Sequence, residues 1–266
     1  METRIEIRDE AGGRQDPTYQ TYDFTEPERM AGLKHRGFVG GHWDEMGDLQ
    51  MEFLKEHGLR PGHRFLDVGC GSLRAGRHLS AYLDPGNYYG VDINHSLLVT
   101  GYDLELDDAG RARLPTGNLR ATDRFDVDFG VQFDMAIAQS VFTHVSLNWM
   151  RLCLFRVAQV VKPGGRFYVT FFEQADDFPV DGIGRSGKRF TERNAYWYYR
   201  RDLRWVAQRS PWDFRYIGKW DHPADSRMVE YTRREDVPPA SEPEQSQDEH
   251  DTHGLRGQVR RLLKRA

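Results

Sequence analysis

Two neighbouring segments constrain the fold of this chain most. Residues 65–76 read FLDVGCGSLRAG, and residues 88–94 read YYGVDIN. Each segment begins with an apolar run typical of a buried strand and reaches an acid, Asp67 or Asp92. Asp92 follows Gly71 by 21 residues, close to the spacing at which an acid beyond a glycine loop meets a ribose diol. The two segments therefore predict a strand–loop–helix–strand unit that holds a nucleoside.

The glycine loop also separates two classes of nucleoside ligand. A nicotinamide dinucleotide fingerprint requires a third glycine three residues after Gly71, where this chain has Arg74. Dinucleotides place a pyrophosphate on the helix N-terminus, whereas S-adenosylmethionine presents a zwitterionic amino acid. Asp67 suits the ammonium of that amino acid, and Arg74 suits its carboxylate. The loop favours S-adenosylmethionine, and a nicotinamide-dependent oxidoreductase is the weaker alternative.

At these residues the chain resembles the class I S-adenosylmethionine-dependent methyltransferases, over roughly residues 54–232. Residues 133–145, FDMAIAQSVFTHV, resemble the fourth strand of that family and the loop after it. Residues 161–172, VKPGGRFYVTFF, resemble the turn into its fifth strand. The resemblance implies an enzyme with S-adenosyl-L-methionine as its cofactor. It also implies an α/β doubly wound, seven-stranded, mostly parallel sheet with an antiparallel last strand.

The hydrophobic pattern alone predicts alternating strands and helices, which favours a parallel sheet. The predicted strands cover residues 65–68, 88–92, a short piece near Leu119, 135–138, 166–172, 214–218 and 228–231. The predicted helices cover part of residues 38–59, then 73–83, 96–106, 148–161 and 200–208.

Composition and charge predict one sizeable domain with polar ends. The chain has 266 residues, 38% of them hydrophobic, and a formal net charge of -4, which is typical of a soluble, mildly acidic protein. We expect a flexible N-terminus over residues 1–25 and a methyltransferase domain with an N-terminal helical extension over 26–234. A disordered acidic linker is expected over 235–254, because too few apolar residues there offset the entropy of ordering.

Residues 255–266, LRGQVRRLLKRA, form a short basic amphipathic segment. Such a segment can lie on an anionic membrane, but a helix this short is marginal in water, so a solvated tail is the favoured interpretation. No run of 18 apolar residues is present, and the first ten residues lack the apolar core of a signal peptide. The expected location is cytoplasmic.

The resemblance implies a set of cofactor contacts. The methionine portion is expected near Asp67, Gly69, Gly71 and Arg74, and the ribose at Asp92. An acid and apolar side chains after the third strand are expected near the adenine. The further candidates are Ile93, Asp123 and Phe125 for the adenine and Gln139 for the methionine portion.

Two histidines are candidates for a general base, which methyl transfer needs only when the acceptor atom carries a proton. His144 lies just beyond the predicted fourth strand, at the ligand edge of a parallel sheet. His222 lies between the last two predicted strands, beside Asp221 and Pro223. The alternative for each is a packing role, for His144 at the start of a helix and for His222 in a turn.

The loop after the fourth strand limits which kind of acceptor atom we expect the chain to methylate. Enzymes that methylate amide or exocyclic amino nitrogens commonly carry Asn/Asp-Pro-Pro-Phe/Tyr there, whereas residues 138–141 of this chain read AQSV. The acidic balance also disfavours nucleic acid as a partner. We therefore expect oxygen methylation of a small molecule, such as a sugar or a natural product, with residues 173–196 as the substrate loop.

The sequence gives little support for a metal site or for disulfide bonds. The ten histidines and two cysteines show no metal-ligand spacing, so no metal is expected. Cys70 and Cys153 are expected to be reduced and structural. Because a fold does not determine an activity, a non-catalytic methyltransferase-like binding scaffold remains the alternative from another functional class. The sequence does not predict an oligomeric state.

Overall fold

The structure is a computed structural model that describes residues 7–9, 22–175 and 195–235. These residues belong to the larger of two units in the chain, Met1–Glu235. Most of the predicted N-terminal flexible stretch and of the substrate loop lie outside the described residues. The predicted linker beyond Glu235 and the basic tail over residues 255–266 lie outside them as well.

Within the described residues, nine strands form one sheet and eight α-helices accompany it. The strands are β1 (Arg8–Asp9), β2 (Phe65–Val68), β3 (Tyr88–Asp92), β4 (Leu119–Ala121), β5 (Phe133–Ala138), β6 (Val161–Glu173), β7 (Trp197–Tyr198), β8 (Trp212–Gly218) and β9 (Arg227–Arg233). The helices are α1 (Pro27–Ala31), α2 (Lys34–Phe38), α3 (Trp43–Glu56), α4 (Gly76–Tyr82), α5 (His95–Glu105), α6 (Asp108–Arg113), α7 (Leu147–Val160) and α8 (Arg200–Val206).

The sheet has the strand order β1-β4-β3-β2-β5-β6-β9-β8, and β7 pairs with β6. Strands β4, β3, β2, β5 and β6 run parallel, while β9 is antiparallel to both β6 and β8. The predicted seven-stranded, mostly parallel sheet with an antiparallel last strand is therefore confirmed. The two-residue strands β1 and β7 add to it, and they are too short to leave a periodic signal in sequence.

Two hydrophobic cores cover the two faces of the sheet, which explains why its central strands are mostly apolar on both sides. One face packs against α3, α4 and α5, through residues that include Leu54, Leu79 and Leu98. The other packs against α7 and α8, through residues that include Leu154 and Leu203. Helices on both faces leave the carboxyl ends of the parallel strands as the open edge for a ligand.

Two element boundaries differ from the sequence prediction. The helix after the glycine loop begins at Gly76, not near Ser72, because residues 71–75 form a turn in which Leu73 has φ of 64°. A residue in that left-handed region cannot belong to a right-handed helix. Strand β6 begins at Val161, five residues earlier than expected, and residues 162–165 form a bulge against β5.

The N-terminal extension docks on α5 through a buried ionic cluster. His35 Nε2 lies 2.6 Å from Glu105 Oε1, and Arg36 binds both carboxylate oxygens at 2.7 and 2.8 Å. The Glu105 side chain is only 1% exposed. Helices as short as α1 and α2 carry no clear periodicity, so the sequence predicted an extension here but not its two helices. No described helix is long and apolar enough to cross a membrane.

Candidate functional site

A cleft opens at the carboxyl ends of β2, β3, β4 and β5. The strand order makes these four ends neighbours, although their residues are far apart in the chain. All nine predicted cofactor residues and one of the two histidines line the cleft. They are Asp67, Gly69, Gly71, Arg74, Asp92, Ile93, Asp123, Phe125, Gln139 and His144.

The glycine loop and β3 are joined by the Asp92 carboxylate. Its Oδ2 accepts a hydrogen bond from Gly71 N at 2.8 Å, and its Oδ1 accepts one from Asn94 N at 2.9 Å. Burial raises the pKa of Asp92, while these backbone donors oppose the rise. Two fixed N–H groups therefore orient the carboxylate at the cleft wall.

Asp67 lies at the end of β2 and is 2% exposed. Its Oδ2 accepts a hydrogen bond from the Tyr88 hydroxyl at 3.0 Å. Burial raises the pKa of Asp67 to about 7, and the Tyr88 hydrogen bond only partly offsets that effect. A cationic group bound beside Asp67 favours its ionised form, so this position suits an ammonium.

Arg74 holds the segment that precedes α3. Its Nη1 donates to Val39 O at 3.0 Å and to Gly41 O at 3.1 Å. Burial lowers the pKa of Arg74, and the charge of Asp67 opposes that effect. Val39 also lines the cleft, and a Cβ on Gly71 would lie 2.9 Å from Val39 Cγ1. Arg74 thus fixes a cleft wall, in addition to the carboxylate contact expected from the sequence.

The loop after β5 packs directly on the glycine loop. Gly69 has φ of 76°, and a Cβ there would lie 2.3 Å from Val141 Cγ2. Ser140 is held at φ of 59° and donates from its N–H to Thr170 Oγ1 at 2.7 Å. Left-handed backbone at a non-glycine residue is a strained arrangement that occurs most often at functional sites. This loop carries His144, whose backbone N–H donates to Val141 O at 2.9 Å.

The opposite end of the cleft is built by the segment after β4. Asp123 is buried, and Phe125 has φ of 54° and meets the Trp149 ring edge-on at 6.3 Å. Thr122 Oγ1 accepts hydrogen bonds from two backbone N–H groups of the same turn, both at 3.2 Å. The turn therefore presents an acid and an aromatic side chain together.

Three buried polar side chains of the cleft have acceptor atoms without a partner among the described residues. These atoms are Gln50 Oε1, Asp123 Oδ2 and Gln139 Oε1. An unsatisfied buried polar group costs about 1–3 kcal/mol. Three of them in one cleft indicate a ligand that donates hydrogen bonds along its length.

Gln50 is a buried polar residue of the cleft that the sequence did not single out as a site residue. It lies on α3, which was interpreted only as a packing helix. One feature of the sequence could have indicated it: Gln50 is a polar residue on the apolar side of an amphipathic helix. In the structure that side is buried, and Gln50 is 2% exposed. A polar side chain in such a position needs a partner, and sequence alone does not say whether that partner is protein or ligand.

His222 is not among the residues that line the cleft. It lies in the turn between β8 and β9, where its Nδ1 accepts a hydrogen bond from Ala224 N at 3.0 Å. Burial lowers the pKa of His222 to about 4, assisted by the charges of Arg74 and His42. The neutral ring with Nδ1 as acceptor carries its proton on Nε2, so it presents a donor rather than a base.

The aromatic residues between positions 196 and 212 divide between the core and the segment before α8. Trp212 is buried and donates from Nε1 to Leu154 O at 2.9 Å. Tyr198 donates to Val145 O at 2.7 Å, and Tyr196 is exposed while its N–H donates to Thr143 O at 2.6 Å. The segment before α8 therefore lies beside the loop that carries His144.

The two cysteines are free and buried, as expected. Burial raises the pKa of the Cys70 thiol well above its usual value, and Cys153 lies on the buried face of α7. Within the ranges that the structure describes, no group of three or more His, Cys, Asp or Glu side chains could hold a metal ion.

Sequence comparisons identify relatives for the central part of the chain. Residues 66–167 match a family described as a methyltransferase domain. A demethylmenaquinone methyltransferase of Symbiobacterium thermophilum is 29% identical over 135 residues, 48% of each chain. A ubiquinone/menaquinone biosynthesis C-methyltransferase of Cupriavidus necator is 26% identical over 167 residues, 55% of this chain and 61% of the relative. The matches thus span about half to three-fifths of these curated relatives.

Solved structures share the fold at low sequence identity. Magnesium protoporphyrin IX methyltransferase from Synechocystis PCC 6803, solved with bound S-adenosylhomocysteine, superposes with a TM-score of 0.56 at 17% identity. That likeness covers 82% of this chain and 100% of the other. A sugar N-methyltransferase from Streptoalloteichus has a TM-score of 0.54 at 17% identity and covers 77% and 93% of the two chains.

Proposed function

We propose that this chain is a class I S-adenosylmethionine-dependent methyltransferase that methylates an oxygen atom of a small molecule. The observation that carries the proposal is one cleft lined by the buried acids of β2 and β3, the glycine loop and His144. When bound, S-adenosylmethionine supplies an electrophilic methyl group. The residues of the chain bind the cofactor, orient the acceptor and receive its proton.

The polar groups of the cleft fit the donors of S-adenosylmethionine in order along the sheet edge. Asp123 after β4 suits the amino group of the adenine, and Asp92 after β3 suits the ribose diol. Asp67 after β2 suits the ammonium, because a cation beside this buried carboxylate lowers the cost of its ionisation. Gln139 after β5 adds an acceptor near the same end. The order of the strands thus matches the order of the groups in the cofactor.

His144 is the general base of this proposal. It follows the loop that packs on Gly69, so it borders both the methionine end of the cleft and the segment around Tyr196. Methyl transfer requires the acceptor oxygen about 3–3.5 Å from the methyl carbon, with water excluded. With the cofactor bound, the acceptor oxygen would bond to the methyl carbon as the sulfur–methyl bond breaks, and His144 would take the hydroxyl proton, so the products would be a methyl ether and S-adenosylhomocysteine.

A second candidate acceptor is a ring carbon of a hydroquinone. Two curated relatives methylate quinone precursors according to their names, and their matches cover about half of this chain. Removal of a hydroxyl proton by His144 raises electron density on the ring carbons, so the same base serves this reaction. Nitrogen is less favoured, because residues 138–141 lack the Asn/Asp-Pro-Pro-Phe/Tyr sequence.

The test is transfer of labelled methyl from S-adenosylmethionine to three acceptor classes: hydroxylated sugars and phenols, amino sugars, and demethylmenaquinol. Labelled methyl ether formation by the parent protein, reduced in His144→Ala, is the expected result. Exclusive labelling of carbon selects the second candidate. Exclusive labelling of nitrogen contradicts both, and cofactor binding without turnover on any class supports a non-catalytic scaffold.

A further inference from the structure

We propose that Gln50 of α3 is a cofactor-binding residue that contacts the amino-acid end of S-adenosylmethionine. The inference rests on the proposed function of the cleft. Gln50 lines the cleft, is 2% exposed, and accepts no hydrogen bond at Oε1 within the described residues. It lies outside the matched methyltransferase domain, residues 66–167, so the family match says nothing about it.

The packing of α3 decides which end of the cleft Gln50 faces. One turn before it, Gly47 packs so tightly that a Cβ would lie 2.7 Å from His78 Nε2 and 3.4 Å from Arg74 O. One turn after it, the Phe53 ring meets the Tyr168 ring of β6 edge-on at 5.1 Å. The helix therefore runs from the Arg74 turn towards β6, away from β3 and β4 and from the adenosine end.

The alternation of side chains along β2 places Asp67 on the same face of the sheet as α3. Phe65, two residues earlier, belongs to the core that contains Met46 and Leu54 of α3. Side chains at positions i and i+2 of a strand share a face, so Asp67 also points to the α3 side. Gln50 and Asp67 thus line the cleft from facing elements, one helix and one strand.

At the amino-acid end of the cofactor, the ammonium group can use a further hydrogen-bond acceptor besides Asp67. An ammonium carries three N–H donors, whereas one oxygen of Asp67 already accepts from Tyr88. Arg74 donates to the backbone at Val39 and Gly41 and offers no acceptor. Gln50 Oε1 supplies a neutral acceptor for the ammonium, and its Nε2 is a donor for the neighbouring carboxylate. A neutral amide is less costly to bury than a second carboxylate beside Asp67.

The test is calorimetric titration of the full chain carrying Gln50→Met, which keeps the length of the side chain and removes its polar atoms. S-adenosylhomocysteine and methylthioadenosine are the two probes, because methylthioadenosine lacks the amino-acid end. Loss of a hydrogen bond to a charged group should weaken S-adenosylhomocysteine binding about ten- to hundredfold. Methylthioadenosine should bind within about twofold of the parent value, since that probe makes no such bond.

Gln132→Met is the matched control, because Gln132 is exposed and donates to Gln159 O at 3.2 Å, away from the cleft. It should leave both affinities unchanged. Gln50→Glu retains an acceptor and should bind S-adenosylhomocysteine more tightly than Gln50→Met. Without ligand, Gln50→Met should unfold at a higher temperature than the parent, because it removes a buried polar group that has no partner.

The outcomes separate this inference from the proposed function. Equal weakening of both probes by Gln50→Met assigns Gln50 to packing and overturns the inference, as does unchanged binding of both. A lower unfolding temperature of the ligand-free variant also contradicts it. If the parent chain fails to bind S-adenosylhomocysteine, the proposed function fails first and the inference falls with it.

Discussion

The cofactor half of the cleft and its acceptor half are built in different ways. The cofactor half uses β2, the glycine loop and β3, which follow one another within about thirty residues. Its acids are buried and held by backbone or hydroxyl donors. The acceptor half combines the loop after β5 with the segment around Tyr196, and residues 176–194 between β6 and β7 lie outside the described ranges.

Because the two halves are built differently, substitutions in them should have different effects. The cofactor half presents fixed acceptors and a rigid loop, so substitutions there should change cofactor affinity and stability. Among the described residues, the acceptor half presents His144 beside an exposed aromatic side chain, Tyr196. Substitutions there should change turnover while cofactor affinity stays the same. Variants of the two halves should therefore separate cofactor affinity from turnover.

His144→Ala should have the largest effect, and on turnover alone. Loss of a general base lowers a rate by about 10²–10⁴-fold. The affinity for S-adenosylhomocysteine should stay within about threefold of the parent value, because the acids and glycines that are proposed to bind it are intact. His222→Ala is the control, since its ring lies outside the cleft lining and presents a donor. Equal losses of turnover in the two variants would show that His144 is not the general base.

Asp92→Ala should have the next largest effect, on cofactor affinity. The change removes the expected ribose contact and leaves Gly71 N and Asn94 N without their acceptor. A hydrogen bond from a ribose hydroxyl to this carboxylate is worth about 1.5–3 kcal/mol, so loss of two should weaken S-adenosylhomocysteine binding at least about a hundredfold by calorimetry, while the unpaired N–H groups lower the stability of the fold. Asp213→Ala, an exposed acid on β8, should bind like the parent. Parental affinity in Asp92→Ala would show that the ribose lies elsewhere.

Gly69→Ala should destabilise the fold by about 2–3 kcal/mol, measured by denaturant unfolding. Two causes add at Gly69, the left-handed backbone and the contact of the new Cβ with Val141. Gly130→Ala measures the first cause alone, because Gly130 has nearly the same φ, 70° against 76°, but nothing lies within 4 Å of its added Cβ. Gly130→Ala should therefore cost only about 1–2 kcal/mol. The Cβ at Gly69 meets Val141, so Val141→Ala should recover part of the loss. Equal costs at the two glycines would show that the loops do not press on each other.

The affinity for S-adenosylhomocysteine should rise with pH, by up to about tenfold per unit below pH 7. Burial raises the pKa of Asp67 to about 7, so below that pH the ligand-free protein holds a proton that ammonium binding must displace. The same proton is released on unfolding, so Asp67 makes the free energy of unfolding decrease as pH rises from about 4 to about 7. Asp67→Asn should flatten both slopes, and a variant with the parental slopes would assign them to another group.

The sequence predicted most of the cofactor half because its determinants are local. Asp67, Gly69, Gly71 and Asp92 lie in two short segments whose spacing follows from the length of one helix and one strand. Strands β2 and β3 were predicted to the residue, since they are mostly apolar. In this half the start of α4 was misplaced, because Leu73 adopts a left-handed conformation that no propensity rule anticipates.

The remaining features depend on contacts between distant segments. Arg74 binds the backbone 35 and 33 residues earlier, and His35 finds Glu105 70 residues later. Gln50 enters the cleft because Gly47 allows α3 to approach the Arg74 turn closely. Each contact requires the packed fold, so periodicity and spacing could not predict it. The role of His222 stays a prediction, because its ring is not part of the cleft lining while the charge of Arg74 still acts on it.

The most direct test of the central claim is calorimetric titration of the purified chain with S-adenosylhomocysteine, with NADH as the comparator. We predict micromolar binding of S-adenosylhomocysteine at pH 8 and no binding of NADH, because Arg74 stands where a pyrophosphate site needs its third glycine. Binding of NADH without S-adenosylhomocysteine would contradict the assignment of the cleft, and binding of neither would show that the cleft does not serve this cofactor.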